Sequence, residues 1–221
     1  MNPLLVNDDI EREVHSIMSS SQQSSRPSLR WRVVDITVTV VIGVACGVVF
    51  WGYDFLSSPL SGFLNGVIPG LGALGWGMWN LAAPLAGLIV RKPGAALLAQ
   101  IIGSAVELTL GNQWGAGGSL VAGSLQGLCA ELAFLVFAYR VWNLGTAILS
   151  GSLACLCGFV YMWFTSMQGM EFFSTYVLVT LVVGVLSGAV IAGALMWVVQ
   201  RQIAKTGVLS QFRSGRVSAG K

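Results

Sequence analysis

The chain has 221 residues, of which 55% are hydrophobic and 10% charged, with 28 glycines and 8 tryptophans. A soluble domain carries about 25% charged residues, so this composition excludes an ordinary water-soluble globule and specifies an integral membrane protein. The net charge of +3 carries no nucleic-acid signal, because the basic residues sit in tails and short loops.

Residues 1–30 are polar, with Asp8, Asp9, Glu11 and Glu13 followed by a Ser/Gln-rich run up to Pro27. They lack the basic start and apolar core of a signal peptide and are expected to form a disordered cytoplasmic extension. A bilayer-spanning helix needs about 20 apolar residues, and six segments meet or approach that length: Val33–Tyr53, Gly70–Val90, Gly94–Leu110, Ser119–Ala138, Leu144–Phe164 and Tyr176–Val199. The expected fold is an all-α membrane protein of six transmembrane helices over residues 31–201, followed by a basic tail over 202–221. The connections are tight except for 54–69, which contains Pro59, Gly62, Gly66 and Pro69 and reads as a loop long enough to be a lid.

Orientation follows the basic residues. Arg26, Arg30 and Arg32 precede the first segment, Arg91 and Lys92 fill the second loop, Arg140 lies in the fourth, and Arg201 and Lys205 follow the sixth. The first, third and fifth loops contain no Lys or Arg, and Asp54 and Glu171 fall on that side. Both termini are therefore expected to be cytoplasmic. Small residues recur at spacing four (Gly43 and Gly47; Gly123 and Gly127; Gly184, Gly188 and Ala192), a pattern that lets helices approach closely in lipid.

Between Val33 and Gln200 only eight residues are charged, and two of them, Glu107 and Glu131, interrupt apolar helices. An ionised carboxylate costs roughly 2.5–3.5 kcal/mol at a helix centre on insertion scales, so each requires a reason. At about 1.5 Å rise per residue, Glu107 lies near the outer end of its helix, where Gln100, Gly103, Ser104 and Glu107 form one inward stripe. Asn80, Trp79 and Gln126 fall near mid-membrane. The aromatics of the outer third are explained in part by the interfacial belt, which does not account for Glu107, Asn80 or Gln126. A carboxylate among aromatic faces suits an organic cation. Glu131 falls in the inner half, turned away from Gln126, and reads as scaffold: either protonated or bonded across an interface with Gln100.

Several chemistries are excluded. The one histidine is in the N-terminal tail, so neither a Ser–His arrangement nor a metal site at recognised spacing can be built in the membrane. Cys46, Cys129, Cys155 and Cys157 read as small apolar residues. There is no Walker-type loop, and no cofactor is implied.

These residues resemble a known family, the YkoE-type substrate-binding (S) components of energy-coupling factor (ECF) transporters. The resemblance runs from about Trp31 to Gln200. It is clearest at Arg91-Lys92-Pro93-Gly94-Ala95-Ala96, at Val106-Glu107 with Leu110-Gly111-Asn112, and at Gln126-Gly127-Leu128-Cys129-Ala130-Glu131. It implies a six-helix subunit of the bacterial plasma membrane that captures thiamine or its hydroxymethylpyrimidine precursor from outside. Such a subunit then topples to deliver its ligand with a transmembrane coupling protein and ABC-type ATPases. Related S components contact the coupling protein through an alanine-x-x-x-alanine motif on the first helix. Gly43 and Gly47 have that spacing here, whereas Ala45 is followed by Val49. Thiamine joins a thiazolium cation to an aminopyrimidine. The expected site is Glu107 as countercharge or aminopyrimidine acceptor, with Asn80, Gln113 and Gln126 as hydrogen-bonding groups and Trp51, Trp76, Trp79, Trp114 and Tyr161 as stacking groups. The alternatives are another vitamin, a cobalt-type system, or a non-transport membrane subunit or enzyme; the last lacks a workable acid–base set.

Overall fold

The computed structural model describes residues 29–207 and Phe212; the N-terminal extension and most of the basic tail lie outside the described residues. From Trp31 onward the described chain is helical, without strands. Helix α1 spans Val33–Val67. A 3₁₀ segment, Leu71–Asn80, leads into α2 at Ala82–Val90. Then follow α3 (Ala95–Leu110), α4 (Ala116–Val136) and α5 (Leu144–Thr165). The last pass is α6 (Thr175–Ser187), a π-helical stretch Gly188–Leu195, and α7 (Met196–Lys205). Six passes result, five of them long and apolar enough to cross a bilayer and the third, Ala95–Leu110, shorter. Large apolar side chains such as Val41, Val44, Leu128, Leu132, Val182 and Leu186 cover the outside, as lipid contact requires.

Two expectations change. The stretch 54–69 is not a loop: α1 runs on for 35 residues through Pro59. A proline inside a helix forfeits one backbone bond, yet in lipid an unwound stretch would leave many more backbone groups unpaired, and α1 stays helical to Val67 although no residue beyond Ser57 is buried. Asn65 then closes the turn, its Oδ1 accepting from the N–H groups of Gly70 and Gly72. The second pass is not one α-helix. Ten residues of 3₁₀ geometry are unusual, since runs beyond 3–4 are uncommon, and side chains from both flanks hold them. Ser187 Oγ accepts from Gly77 N–H at 2.9 Å and donates to the Leu74 carbonyl. Gln100 donates to the Trp79 carbonyl at 2.6 Å and accepts from Ala83 N–H at 3.3 Å. Those are the two groups that an α-helix would pair with each other; the glutamine amide is inserted into the ladder, a recognised cause of a helix break. Gln100 is thus committed here and not to Glu131.

The glycine stripes serve internal packing. A Cβ on Gly43 would stand 2.8 Å from Ile102 and 2.9 Å from the Ala99 carbonyl, and one on Gly47 would stand 2.6 Å from the Gly103 carbonyl. Both glycines bring α1 against α3. This corrects their assignment as a docking surface for a coupling protein: they are buried inside the chain. Gly127 likewise admits Gln100 and Leu97 of α3, and Gly184 admits the Trp76 ring.

The basic loops meet at one end. Trp31 Nε1 donates to the Pro93 carbonyl at 3.0 Å, and the Arg91 guanidinium lies over the Trp142 ring at 5.5 Å. Glu131 is at this same end. Its Oε1 accepts from Gly94 N–H and the Tyr139 hydroxyl at 2.8 and 2.7 Å; its Oε2 accepts from Ala96 and Leu97 N–H at 2.8 and 3.2 Å. A carboxyl there answers the orphan donors and positive dipole at the start of α3. Burial, and then the bond to Glu131, push the Tyr139 phenol up, which keeps it a donor. The scaffold reading of Glu131 stands, with α3's first turn and Tyr139 as its partners.

Candidate functional site

The half of the protein away from the basic loops holds a partly open cavity of about 310 Å³. Ligand pockets run from about 300 to 1,000 Å³, so this one suits a single small metabolite. The 3₁₀ segment supplies one wall. With three residues per turn, Trp76 and Trp79 stand one above the other on a single face, and Asn80 follows beside them. All three line the cavity, together with Ser104 and Glu107 of α3, Trp114, Ser119 and Gln126 of α4 and the loop before it, and Cys155, Tyr161 and Met162 of α5.

Seven of the nine residues expected in the site are brought together: Glu107, Asn80, Trp114, Gln126, Trp79, Trp76 and Tyr161. Trp51 and Gln113 are not. On α1 the inward face is the one carrying Phe50, Asp54 and Ser57 (i, i+4, i+7), which turns Trp51 away to pack edge-on against Phe55 at 5.1 Å. Gln113 instead ties the outer loop to α1: its Nε2 donates to Ser57 Oγ at 2.9 Å and its Oε1 accepts from Ser58 at 3.0 Å.

Asp54 is the residue that the sequence reading passed over. Its Oδ1 accepts from the indole of Trp79 at 3.0 Å and, at 3.4 Å, from that of Trp114. The two indoles meet edge to face, centroids 5.6 Å apart and planes at 85°, and Tyr53 packs on Trp79 at 4.8 Å. One carboxyl therefore sets the pose of two rings on different elements. Asp54 is also the charged neighbour of Glu107. The missed signal was its spacing of four from Phe50, hidden by reading 54–69 as a loop.

The polar side of the site holds buried acceptors that the protein leaves unpaired. Glu107 is 3% exposed and Asn80 2%. Asn80 spends its amide N–H groups on the Trp76 carbonyl and Cys155 Sγ, leaving Oδ1 without a donor. Glu107 Oε2 receives only a 3.5 Å contact from Ser119, while its Oε1 and Asp54 Oδ2 have no donor within the protein. Buried acceptors of this kind are normally paired; the two in the lining, Glu107 Oε1 and Asn80 Oδ1, suit N–H groups or positive charge.

A partly open, aromatic cavity with unpaired acceptors in a six-pass bundle has the dimensions and chemistry to receive a small molecule. The comparisons make the class specific. The family model for the "ABC-type cobalt transport system, permease component" matches residues 34–157. The chain is 34% identical over 187 residues to a Bacillus subtilis (strain 168) protein named as an HMP/thiamine permease, YkoE, covering 84% of this chain and 91% of that protein. A solved S-component of an ECF transporter matches with a TM-score of 0.78 at 31% identity, covering 86% of this chain and 94% of that one. The chain belongs to the YkoE-type S components of ECF transporters. It is a multi-pass protein of the bacterial plasma membrane and a transport component, not an enzyme.

Proposed function

We propose that this chain captures thiamine or its hydroxymethylpyrimidine precursor in a cavity that faces the outside. It then passes the ligand inward with a transmembrane coupling protein and ATP-hydrolysing subunits. The observation that carries the reading is a pair of unpaired buried acceptors in the lining, Glu107 Oε1 and Asn80 Oδ1, set among the indoles of Trp76, Trp79 and Trp114, with Asp54 bonded behind the last two rings. A thiazolium gains countercharge from the carboxyls and cation–π attraction from the rings. An aminopyrimidine gains acceptors for its exocyclic N–H groups and a face to stack on. The outward orientation is supported by the basic loops, which gather at the opposite end and mark it as cytoplasmic. The name of the Bacillus relative points to the same ligands.

The competing cargo is a divalent metal, suggested by the family model's description. Among the described residues no three His, Cys, Asp or Glu side chains converge, whereas a divalent ion calls for several anionic or imidazole ligands. The indoles, by contrast, suit an organic ring. Titration of the purified protein by tryptophan quenching tests the choice. Thiamine and hydroxymethylpyrimidine should quench and saturate, and flavin, biotin and cobalt should not. No response to either pyrimidine compound overturns the reading.

A further inference from the structure

We infer that Gly158 sets the length of ligand that the cavity accepts, by giving the Gln126 amide a notch to fold into and so keeping the floor clear for a molecule of two linked rings. The inference deepens the proposed function and rests on it, since it separates the two ligands named there.

The floor follows from chain direction. Helix α4 starts at the end away from the basic loops and descends, α5 ascends, and the 3₁₀ segment descends to Asn80. The innermost lining residues are therefore Gln126 on α4, Cys155 on α5, and Asn80. The other α4 residues of the lining, Gly118, Ser119, Ala122 and Gly123, are all small, so Gln126 is the α4 side chain long enough to reach across the floor. Its amide lies against α5 at Gly158, about one turn from Cys155. A Cβ there would stand 2.7 Å from Gln126 Nε2, 3.6 Å from Cδ and 3.7 Å from Cγ. Among the described residues that amide has no hydrogen-bonding partner, so steric room and not a bond decides where it rests.

A methyl group at position 158 evicts the amide. Nε2 is the free end of a flexible side chain, so the side chain turns and the helices stay in place. The turn has few directions. Toward α3 the space is filled, because Gly123 admits Ser104 and Gly127 admits Gln100 and Leu97. Toward lipid an amide loses every polar neighbour, at a cost. The direction left is the cavity. Its volume of about 310 Å³ stands near the lower bound of about 300 Å³ for ligand pockets, so an intruding amide removes length that a two-ring ligand needs. A single ring has room to sit farther out, toward Tyr161 and Trp114.

Tryptophan-quenching titrations of the full-length, detergent-solubilised protein test this with Gly158→Ala, Gln126→Ala and the double variant. Alanine is the better helix former, so Gly158→Ala should melt no lower than the wild type. Its thiamine affinity should fall about tenfold or more, the range in which one methylene counts in a pocket, and its hydroxymethylpyrimidine affinity by a few-fold at most. Removing the amide removes the obstruction. In the Gln126→Ala background the added Gly158→Ala should therefore leave thiamine affinity within about twofold, a non-additivity that marks direct contact. Equal losses for the two ligands overturn the inference and leave the proposed function standing. So does a Gly158→Ala loss that persists undiminished without the amide, or a single variant that unfolds while the double folds, which places the collision in helix packing. A wild-type protein that binds hydroxymethylpyrimidine and not thiamine overturns it in the same way. Binding of neither compound overturns the inference and the proposed function together.

Discussion

The two membrane glutamates are both buried, 3% exposed at Glu107 and 7% at Glu131, but they live in opposite circumstances. Glu131 takes four donors on its two oxygens, three from the first turn of α3 and one from Tyr139. Glu107 takes one long contact and keeps an oxygen bare beside a second acid. The first carboxyl has all its needs met by the fold, so its removal harms the fold. The second is left incomplete by the fold, so it is available to a ligand. Burial alone does not tell a scaffold acid from a binding acid; the count of donors does.

The contrast can be broken most forcefully at Glu131. Replacement by alanine strands donors that cost about 1–3 kcal/mol each when left buried and unpaired, so Glu131→Ala should lose on the order of 3–6 kcal/mol of stability. Glu107→Ala should lose far less, or gain. Thermal unfolding of the two variants in one detergent compares them directly, and equal losses would erase the distinction. Gln100 sharpens the comparison, because it lies between the two regions and its partners belong to the second pass. Gln100→Ala should cost about 1–3 kcal/mol by freeing the Trp79 carbonyl and Ala83 N–H and should also weaken ligand binding through Trp79. A variant that loses stability with unchanged affinity would show that the clamp does not set the Trp79 pose. The smallest effect is expected for Tyr139→Phe. One of four donors to Glu131 disappears there, for about 1 kcal/mol, with ligand affinity unchanged. A larger loss would mean that the hydroxyl, and not the start of α3, is the main partner of that carboxyl.

Much of this arrangement was legible beforehand. Six apolar segments of near-spanning length determine the passes, because lipid enforces that length. The stripe Gln100, Gly103, Ser104 and Glu107 showed which face of α3 turns inward, since polar and small residues at helical spacing have no reason to face lipid. What failed did so where backbone geometry departs from the ordinary α-helix. Pro59 with Gly62 and Gly66 looked like a loop, since each is a poor helix former, but the need of backbone groups in lipid for internal partners outweighs that weak propensity. That error hid Asp54 and admitted Trp51. Residues 71–80 carry no local sign of 3₁₀ winding. The winding is imposed by Ser187 and Gln100, which lie far away in sequence. Gly43 and Gly47 were given a docking role by the family resemblance, but their spacing marks a close approach without naming the helix that approaches.

The 3₁₀ winding has a metric consequence. Ten residues at about 2.0 Å of rise extend some 20 Å, where an α-helix would extend about 15 Å. The second pass therefore gains roughly 5 Å of reach from the same ten residues. The angular bookkeeping differs as well: residues three apart are separated by a full turn in 3₁₀ geometry and fall about 60° short of one in an α-helix. Rewinding this stretch would shorten it and rotate Trp76 out of line with Trp79, so the shape of the cavity is a function of pitch as much as of side-chain identity.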